Sequence, residues 1–403
     1  MLVATALWAS ASAENAPEHV LYNFQGTFDG GSPRGGLIAN RYGAFYGTTQ
    51  YGGGGCVIGC GTVFELVPSA GGGFTERVVH RFTGANDGTN PEAGVVADST
   101  GALYGTTERG GSACSAPGCG TVYKLTPRPG GGYSESVIYA FAGGSSGENP
   151  ISSVTLDSRG DLVGTAYGGS NNAGVVYELT RSGNSYTESI LYAFGKQPTD
   201  GSSPAGAIVA DLAGNLYGST ATGGADRAGT VYRLNPTANG YAETILYNFT
   251  GGHDGTDPSG ALAFGPGGIL YGTAYSGGFY HNAGVVYSLT PVSPNVYAEK
   301  TVHAFSTVGA EPEAGVYVDA SGTLYGTTAF GGLPGCPNGG GCGIVYSLKP
   351  TAGGFAFAVL HVFGGGRDAS EPLAGVVPGA DGELYGTTFR GGTANDGTVY
   401  RIK

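Results

Sequence analysis

The hydrophobic and polar residues of this chain form a repeated pattern of short apolar segments separated by turn residues. Val, Ile, Leu, Thr and Tyr cluster in the segments, and Gly, Pro, Asp and Asn fall between them. Segments of about four to eight such residues predict β-strands. The pattern is clearest from Leu103 to Tyr123, where Leu-Tyr-Gly-Thr-Thr is followed by a glycine-rich loop and then by Gly-Thr-Val-Tyr. It predicts a strand, a loop and a second strand, and versions of it occur seven times.

Four strand-like segments, here called a, b, c and d, recur in a fixed order. In the second repeat they are Gly94–Asp98, the segment around Tyr104, Gly120–Tyr123 and the segment that ends at Phe141. Tight Asp-x-x-Gly turns follow several a segments, because aspartate bonds the backbone two residues on and glycine accepts a positive φ. The anchor position of b recurs every 54 to 60 residues, at Tyr46, Tyr104, Val163, Tyr217, Tyr271, Tyr325 and Tyr385.

This spacing predicts a β-propeller, in which each blade is a sheet of four short antiparallel strands. The first copy is a lone d segment, Val20–Phe24, and the last copy has only a, b and c. The two ends together make one blade, and a ring closed in this way leaves no unpaired strand edge. We therefore predict an all-β fold in one domain over residues 14–403: a seven-bladed propeller closed by its N-terminal strand.

The repeat unit resembles a known family. The resemblance is carried by Leu103-Tyr-Gly-Thr-Thr107, Gly110-Gly111, Gly120-Thr-Val-Tyr123, a Leu-Tyr-x-Phe ending as at Leu246–Phe249, and Asp-Gly followed by Pro. These elements are similar to the GloVer-type tandem repeat of exported bacterial choice-of-anchor proteins, over residues 18–403. The resemblance implies a propeller-like exported protein, and it implies no particular biochemical activity.

Composition supports the all-β prediction and limits the partners. The chain has 80 glycines and 26 tyrosines in 403 residues, and only 12% of its residues are charged. Glycine weakens helices, whereas tyrosine, valine and threonine favour sheets. The net charge of −12 disfavours nucleic-acid binding, which needs lysine and arginine to displace counterions. No segment approaches the roughly 18 apolar residues of a membrane span. We expect a monomer.

The N-terminus predicts export. Leu2–Ala9 form a short apolar run, and Ala11-Ser12-Ala13 matches an Ala-x-Ala cleavage site. We therefore predict a signal peptide over residues 1–13, truncated in that it lacks the usual positive start. The alternative is an unstructured apolar N-terminus. Export places the protein outside the cell, in the periplasm or on the cell surface.

All six cysteines lie in close pairs: Cys56 and Cys60, Cys114 and Cys119, and Cys336 and Cys342. Each pair falls in the b–c loop of a different repeat. Local disulfides that clamp long loops in an oxidising compartment explain this placement. A zinc site is the alternative, but it needs four converging ligands, and no pair has a neighbouring histidine or second pair.

One face of the predicted propeller varies more than the rest. The b–c and d–a connections emerge together on it. From the b anchor to the first glycine of c there are 11 to 18 residues, whereas the remainder of each period is 41 to 43. Varied loops on a constant scaffold are typical of a binding face. Tolerated insertions are the alternative interpretation.

The d–a connections make this face acidic. They repeat Asp-Gly-x-x-Pro, and Glu92, Glu313 and Glu371 add further carboxylates. A carboxylate ring could hold calcium, which takes oxygen ligands, with Asp254 and Asp257 as candidates. Ordinary turn chemistry is the interpretation that we favour, since Asp-Gly and Pro are common turn residues.

Residues that break the repeat are the candidates for function. His80, His303 and His361 stand where other repeats have tyrosine two residues before the terminal Phe, so we expect them to be structural. His253 and His281 follow no such column and fall in two loops of one blade, with Tyr280 beside His281. Single basic residues join them on this face: Arg34, Arg109, Lys196, Arg227 and Arg390.

These observations favour a binding module, with an extracellular carbohydrate as ligand or a surface protein as partner. Arginine, histidine, tyrosine and carboxylates could bind a glycan. The alternatives are a polysaccharide lyase or hydrolase that uses the region of His253 and His281, and a purely structural surface protein. Gly143–Gly147 matches Gly-x-Ser-x-Gly, but the expected strand on either side leaves no helix for a nucleophile elbow. We expect no cofactor other than calcium.

Overall fold

The structure is a computed structural model that describes residues 18–403, except 72, 85, 116, 158, 281, 333–335 and 337–339. The predicted signal peptide, residues 1–13, and His281 lie outside the described residues. Two short 3-10 turns, Gly144–Ser146 and Pro266–Gly268, accompany the strands. Within the described residues no helix is long and apolar enough to cross a membrane.

Among the described residues, seven sheets are each an antiparallel meander of segments a, b, c and d; β14 adds a strand to one of them, and β27 and β30 form a separate two-stranded sheet. Strand β1 is Glu18–Asn23. In the remaining order the strands are β2 (Ile38–Ala39), β3 (Phe45–Thr49), β4 (Thr62–Pro68) and β5 (Phe74–Arg81) in blade 1; β6 (Val96–Ala97), β7 (Leu103–Thr107), β8 (Thr121–Pro127) and β9 (Tyr133–Ala140) in blade 2; β10 (Thr155–Leu156), β11 (Leu162–Ala166), β12 (Val175–Ser182) and β13 (Ser185–Ala193) in blade 3; β14 (Gly201–Pro204), β15 (Val209–Ala210), β16 (Leu216–Gly223), β17 (Thr230–Thr237) and β18 (Gly240–Asn248) in blade 4; β19 (Ala263–Phe264), β20 (Leu270–Ala274), β21 (Val285–Ser293) and β22 (Val296–Ala304) in blade 5; β23 (Tyr317–Val318), β24 (Leu324–Thr328), β25 (Ile344–Thr351) and β26 (Gly354–Val362) in blade 6; and β27 (Ala369–Ser370), β28 (Val377–Pro378), β29 (Leu384–Thr388), β30 (Arg390–Gly391) and β31 (Thr398–Ile402) in blade 7.

The ring closes as predicted. Blade 7 has the order β28-β29-β31-β1, so the N-terminal strand completes the C-terminal sheet. Strand β1 pairs with β31 from Glu18 opposite Ile402 to Asn23 opposite Thr398. The all-β, seven-bladed propeller is therefore confirmed.

The innermost strands are shorter than the predicted a segments. Each pairs through two residues only, as in Ile38 opposite Tyr46 and Ala39 opposite Phe45. The residues before them lie against the neighbouring blade instead. A Cβ on Gly94 would collide with the carbonyl oxygen of Gly36, so the two backbones approach closely there. These residues therefore form the contact between neighbouring blades and do not extend the sheet.

The Tyr-Gly-Thr motif is structural, as the sequence indicated. Its glycine leaves room for the aromatic ring of the opposite c strand; a Cβ on Gly105 would overlap the ring of Tyr123. Its threonine binds the next blade: Thr48 Oγ1 donates to the Ala93 carbonyl at 2.9 Å, and Thr106 Oγ1 donates to the Ser152 carbonyl at 3.0 Å. The motif therefore packs a blade and joins it to its neighbour.

The core between blades repeats one aromatic contact. The Phe that follows each d strand packs edge-to-face on the c-strand aromatic ring of the next blade, with ring centroids 4.9 to 5.1 Å apart. Phe24 and Phe64 form this contact at the closure of the ring. Such pairs add about 0.5 to 1.5 kcal/mol each beyond the apolar area that they bury.

A second repeated feature, which we call the boundary cluster, lies near the outer edge of each blade contact. It contains a Tyr or His two residues before the terminal Phe, the residue four before the d–a proline, and a residue of the next blade's d strand. The seven clusters are Tyr22/Asp29/Glu76, His80/Asp87/Glu135, Tyr139/Ser146/Glu188, Tyr192/Asp200/Glu243, Tyr247/Asp254/Glu299, His303/Val308/Phe357 and His361/Asp368/Glu18. This confirms a structural position for the three histidines.

The predicted loop face is confirmed by direct pairing of its loops. The d–a connections bridge the residues after strand b, as in Gly31 with Tyr51, Thr89 with Arg109 and Thr256 with Ser276. All three cysteine pairs are disulfides in the b–c loops: Cys56–Cys60, Cys114–Cys119 and Cys336–Cys342. Three disulfides indicate an oxidising compartment.

Candidate functional site

The seven d–a connections converge on a central cavity of about 740 Å³. Much of its wall consists of small residues, among them Gly36, Gly94, Gly206, Gly315 and Gly375. These residues leave the channel open because they carry little or no side chain. Larger polar side chains line the same cavity where the d–a connections reach it: Arg34, Glu92, Tyr167, Asp257, Tyr275 and Glu313. We call these six residues the mouth set.

Arg34 joins two glutamates of the mouth set. Its Nε lies 3.7 Å from Glu92 Oε2, and its Nη2 lies 3.4 Å from Glu313 Oε2. All three residues follow the d–a proline of their repeats, in blades 1, 2 and 6. The equivalent residues elsewhere are Ile151, Ala205, Ser259 and Leu373. The position after the d–a proline is therefore charged in three blades and uncharged in the other four.

The residue before this proline has a left-handed backbone in every blade, with φ between 51 and 59°. The seven residues are Ser32, Asn90, Asn149, Ser203, Asp257, Glu311 and Glu371. At Asp257 the conformation is held by three backbone hydrogen bonds: its N–H donates to the Ala228 carbonyl at 3.1 Å, and its carbonyl accepts from the N–H groups of Tyr275 and Ser259, both at 2.9 Å. Asn tolerates this region well, but Glu does not. Glu311 and Glu371 are thus kept at a local cost.

The two tyrosines come from a different column, which is the residue directly after strand b in every blade except blade 4, where β16 continues past it. That column holds Gln50, Glu108, Tyr167, Ala221, Tyr275, Ala329 and Phe389. Tyr275 donates its hydroxyl to Glu311, and the Gln50 amide donates to Glu92 at 2.5 Å. The mouth therefore offers ring faces, hydroxyls, carboxylates and one guanidinium within one cavity.

Burial raises the pKa values of the acidic groups of the mouth set. It raises the pKa of Glu92 and of Glu313, and Arg34 offsets part of the rise at both. It also raises the pKa of Asp257, whose Oδ1 has no hydrogen-bond partner. Carboxyl groups with raised pKa values in a cavity are typical of functional sites.

The repeat is shared with other proteins. A family model described as the Gloeobacter/Verrucomicrobia repeat matches residues 10–169 and 157–400. The chain belongs to the Gloeobacter/Verrucomicrobia repeat family. This match confirms the resemblance to the GloVer-type repeat. In this family member, each full copy of the repeat builds one blade.

Three solved structures are similar to this family member at low sequence identity. A fungal alcohol oxidase of the AA5 family, in complex with copper, is 12% identical, has a TM-score of 0.57, and covers 97% of this chain and 76% of its own. An oxidoreductase of the glucose dehydrogenase type from Thermus thermophilus is 17% identical, with a TM-score of 0.45 and coverage of 77% and 95%. A luciferin-regenerating enzyme is 12% identical, with a TM-score of 0.47 and coverage of 86% and 99%. The likeness to the alcohol oxidase, whose TM-score exceeds 0.5, shows the fold alone. Among curated proteins, none matches this chain.

Some of the predicted site residues come together at the mouth of this family member. Arg34 and Asp257 line the cavity. Arg109 Nε lies 3.2 Å from Glu108 Oε1, and its charge lowers the pKa of nearby Glu92, against the larger effect of burial.

Arg390 pairs with Glu371 at 3.2 Å and lines a separate groove of about 420 Å³ beside the b–c loop of blade 7.

Other predicted residues lie apart from the cavity. His253 stacks on Phe279 with ring centroids 3.8 Å apart, and Tyr280 beside it is exposed. Arg227 is an exposed turn residue with φ of 61°. Lys196 Nζ lies 4.0 Å from the ring centroid of Tyr192, in a boundary cluster. None of these four predicted residues lines the central cavity.

The calcium candidates differ in their surroundings. Asp254 accepts hydrogen bonds from the Thr250 N–H at 2.7 Å and the Tyr247 hydroxyl at 3.0 Å, as a turn residue would. Asp257 belongs to the mouth set. Among the described residues, neither joins a cluster of three metal-ligand side chains. Ser146 of the Gly143–Gly147 segment bonds Tyr139 and Glu188, which places it in a boundary cluster.

We expect Asp257→Asn to stabilise the protein by about 1 kcal/mol near neutral pH, because it removes a buried charge that has an unpartnered oxygen. Asn90 and Asn149 already occupy the same left-handed position in other blades. Urea unfolding measures the change. Asp226→Asn, in an exposed loop, is the matched control and should have no effect. A variant at Asp257 that is no more stable than the wild type would contradict the expectation.

Proposed function

We propose that this protein is an extracytoplasmic binding propeller whose mouth set binds a carbohydrate. The observation that carries the proposal is Arg34 held between Glu92 and Glu313 in a cavity that Tyr167 and Tyr275 also line. Binding sites are commonly concave, with a small number of convergent polar groups. The charged residues here differ from blade to blade, whereas scaffold residues repeat.

The chemistry of the mouth set suits sugar hydroxyls. Carboxylates accept hydrogen bonds from hydroxyls, and a guanidinium donates several in a fixed planar arrangement. Tyrosine rings offer an apolar face and a polar edge to a pyranose ring. Acidic groups outnumber the single arginine of the set, which disfavours anionic ligands such as phosphates. A neutral glycan satisfies all of these groups at once.

The surrounding rim supports a ligand larger than the cavity. His253 and Phe279 form an exposed stacked pair on the same face, beside exposed Tyr280. The disulfide loops vary in length around it and are held by their cystines. These features suit further contacts with a polymer, so the predicted residues His253 and Tyr280 belong to the proposal as rim contacts. Disulfides and the predicted signal peptide support export.

A polysaccharide lyase or hydrolase is the second candidate. It is favoured by the raised pKa values of Glu92 and Glu313, since a carboxyl with a raised pKa can act as a general acid. Release of reducing or unsaturated sugar ends from a bound polysaccharide distinguishes this candidate from simple binding.

We expect Arg34→Ala to weaken glycan binding at least about tenfold, since loss of a charge-assisted contact costs roughly 1.5 kcal/mol or more. A glycan array identifies the ligand, and calorimetry then measures its Kd for the wild type and the variant. Arg128→Ala, at an exposed arginine in the c–d turn of blade 2 on the opposite face, is the matched control. A silent array, or equal affinities for both variants, would count against the proposal.

A further inference from the structure

One boundary cluster differs from the other six in how closely its side chains converge. It lies between blades 6 and 7, where the ring closes. Glu18 comes from the closing strand β1, His361 from β26, and Asp368 from the d–a connection that follows. One ligand atom of each residue lies within 4.8 Å of the other two. Among the described residues this is the cluster that meets such a criterion.

The histidine of this cluster is buried without a hydrogen bond. His361 is 8% exposed, and neither Nδ1 nor Nε2 has a hydrogen-bond partner. Its Nε2 lies 3.3 Å from Glu18 Oε2, which is an ion-pair distance, but the two atoms do not form a hydrogen bond. The Glu18 side chain is 6% exposed, and its Oε1 also has no hydrogen-bond partner. Buried polar atoms normally have partners, so a missing partner here calls for an explanation.

The cluster between blades 1 and 2 contains the same three residue types. Its His80 Nε2 and Glu135 Oε1 also have no hydrogen-bond partner, whereas at His361 both ring nitrogens have none, and a further difference lies at the aspartate. There both oxygens of Asp87 accept hydrogen bonds from Thr83, one from its N–H at 2.9 Å and one from its hydroxyl at 2.7 Å. The residue equivalent to Thr83 is Gly364, which donates only its N–H to Asp368, at 2.7 Å. The hydroxyl that engages the second oxygen at Asp87 is therefore missing at Asp368.

We propose that Glu18, His361 and Asp368 bind a divalent cation, for which Zn²⁺ is the best match. One imidazole nitrogen and two carboxylate oxygens are ordinary zinc ligands, and a water completes a four-coordinate site. Calcium fits less well, because it takes six to eight oxygen ligands. Asp368 is only half-buried and leaves a path for the ion and the water. The cation neutralises two carboxylates and gives the imidazole nitrogen its partner.

A cation at this position joins the N-terminal strand to blade 6. Strand β1 is otherwise held by its pairing with β31 and by the packing of Phe24. Zinc would therefore tie the N-terminal strand to blade 6, at a blade contact that residues from opposite ends of the chain make. None of the three ligands lines the central cavity, so this site is independent of the proposed carbohydrate site.

The experiment compares the full chain with two single variants. His361→Tyr removes the ligand but installs the residue found in the clusters of Tyr22, Tyr139, Tyr192 and Tyr247, so the fold accommodates it. His80→Tyr makes the same change at the cluster between blades 1 and 2 and is the control. Each protein is stripped with a chelator, incubated with Zn²⁺, desalted and analysed for bound metal and for Tm.

We expect one zinc ion per chain in the wild type and in His80→Tyr, and none in His361→Tyr. Zinc at about a hundredfold above its Kd should raise the Tm of the first two proteins by several degrees and leave the third unchanged. A wild type that retains no zinc overturns the proposal. Equal zinc content in all three proteins also overturns it, because the metal then binds elsewhere.

Discussion

Deletion of residues 18–24 is expected to prevent the chain from folding into a stable propeller. Without β1, strand β31 becomes an open edge, although its residues Val399 and Tyr400 are fully buried in the native protein. The deletion also removes Phe24, which packs against Phe64 of blade 1. The free energy of unfolding of a domain is about 5 to 15 kcal/mol. The pairing of one strand and the burial of one aromatic residue together supply a large part of it. Circular dichroism and urea unfolding measure the outcome. A cooperative transition at the wild-type midpoint would refute closure by this strand.

A point substitution tests the same closure in a protein that still folds. We expect Phe24→Ala to cost about 3 to 5 kcal/mol of unfolding free energy, because it empties a fully buried aromatic site. Phe28→Ala is the matched control, since that ring is 73% exposed four residues further on, and it should change stability by less than about 0.5 kcal/mol. Similar effects at both positions would show that β1 does not carry the closure.

The repeat explains why the architecture could be predicted and the contacts between blades could not. Seven copies of each segment, with a lone d at one end, determine the number of blades and the closing strand. The partner of a side chain across a blade boundary, however, stands about 50 residues away in another column of the repeat. The tyrosine or histidine column and the Asp-Gly column were both visible, but nothing in one copy pairs them with the glutamate of the next.

The boundary cluster between blades 5 and 6 shows a signal that was present in the sequence. Between blades 5 and 6 the aspartate is replaced by Val308 and the glutamate by Phe357, and His303 stacks on Phe357 with ring centroids 4.1 Å apart. The two acidic positions change together at this boundary, whereas between blades 2 and 3 Ser146 replaces the aspartate and Glu188 is kept. That joint change across repeats identifies them as partners, which the turn interpretation of the aspartates alone does not.

Some residues of the mouth set could be predicted from the sequence, and others could not. Arg34 was predicted because it is a single basic residue in the d–a connection, and Glu92 and Glu313 were recognised as part of an acidic face. Tyr167 and Tyr275 were not, because they directly follow the b strand and look like an extension of its β-forming residues. Arg34 and Glu313 also come from blades 1 and 6, which blade 7 separates in the ring, so their contact at the channel depends on ring geometry that local spacing does not contain.

The glutamates of the boundary clusters predict that the stability of the protein depends on pH. Burial is the main cause that raises the pKa of Glu76, Glu243 and Glu299 to about 7, and a neighbouring aspartate adds to the rise in each case. In the unfolded chain these groups have a pKa near 4.5. Between these two values the native protein therefore binds more protons than the unfolded chain. Stability must then fall as the pH rises through this window.

The size of the effect follows from the shift. One pKa unit corresponds to about 1.4 kcal/mol, so Glu243, the most buried of the three, contributes at most about 3 kcal/mol. Glu76 and Glu299 contribute less because solvent screens them more. His303 acts in the opposite direction: burial lowers its pKa to about 4, so its contribution is lost as the pH falls below its unfolded value of 6.5. Three glutamates outweigh one histidine, and stability should be greatest near about pH 5.

We expect the unfolding free energy to be several kcal/mol lower at about pH 8 than at about pH 5. Urea titrations across this range measure it. Glu243→Gln keeps a polar group beside Tyr192 but carries no charge, so it should lose part of the pH dependence and exceed the wild type in stability at the higher pH. Glu188→Gln is the matched control, because Ser146 replaces the aspartate at that boundary and its effect should be smaller. A stability that is constant or rises from about pH 5 to about pH 8 would mean that the boundary glutamates are ionised in the native protein, and that their hydrogen bonds outweigh the cost of burying the charge.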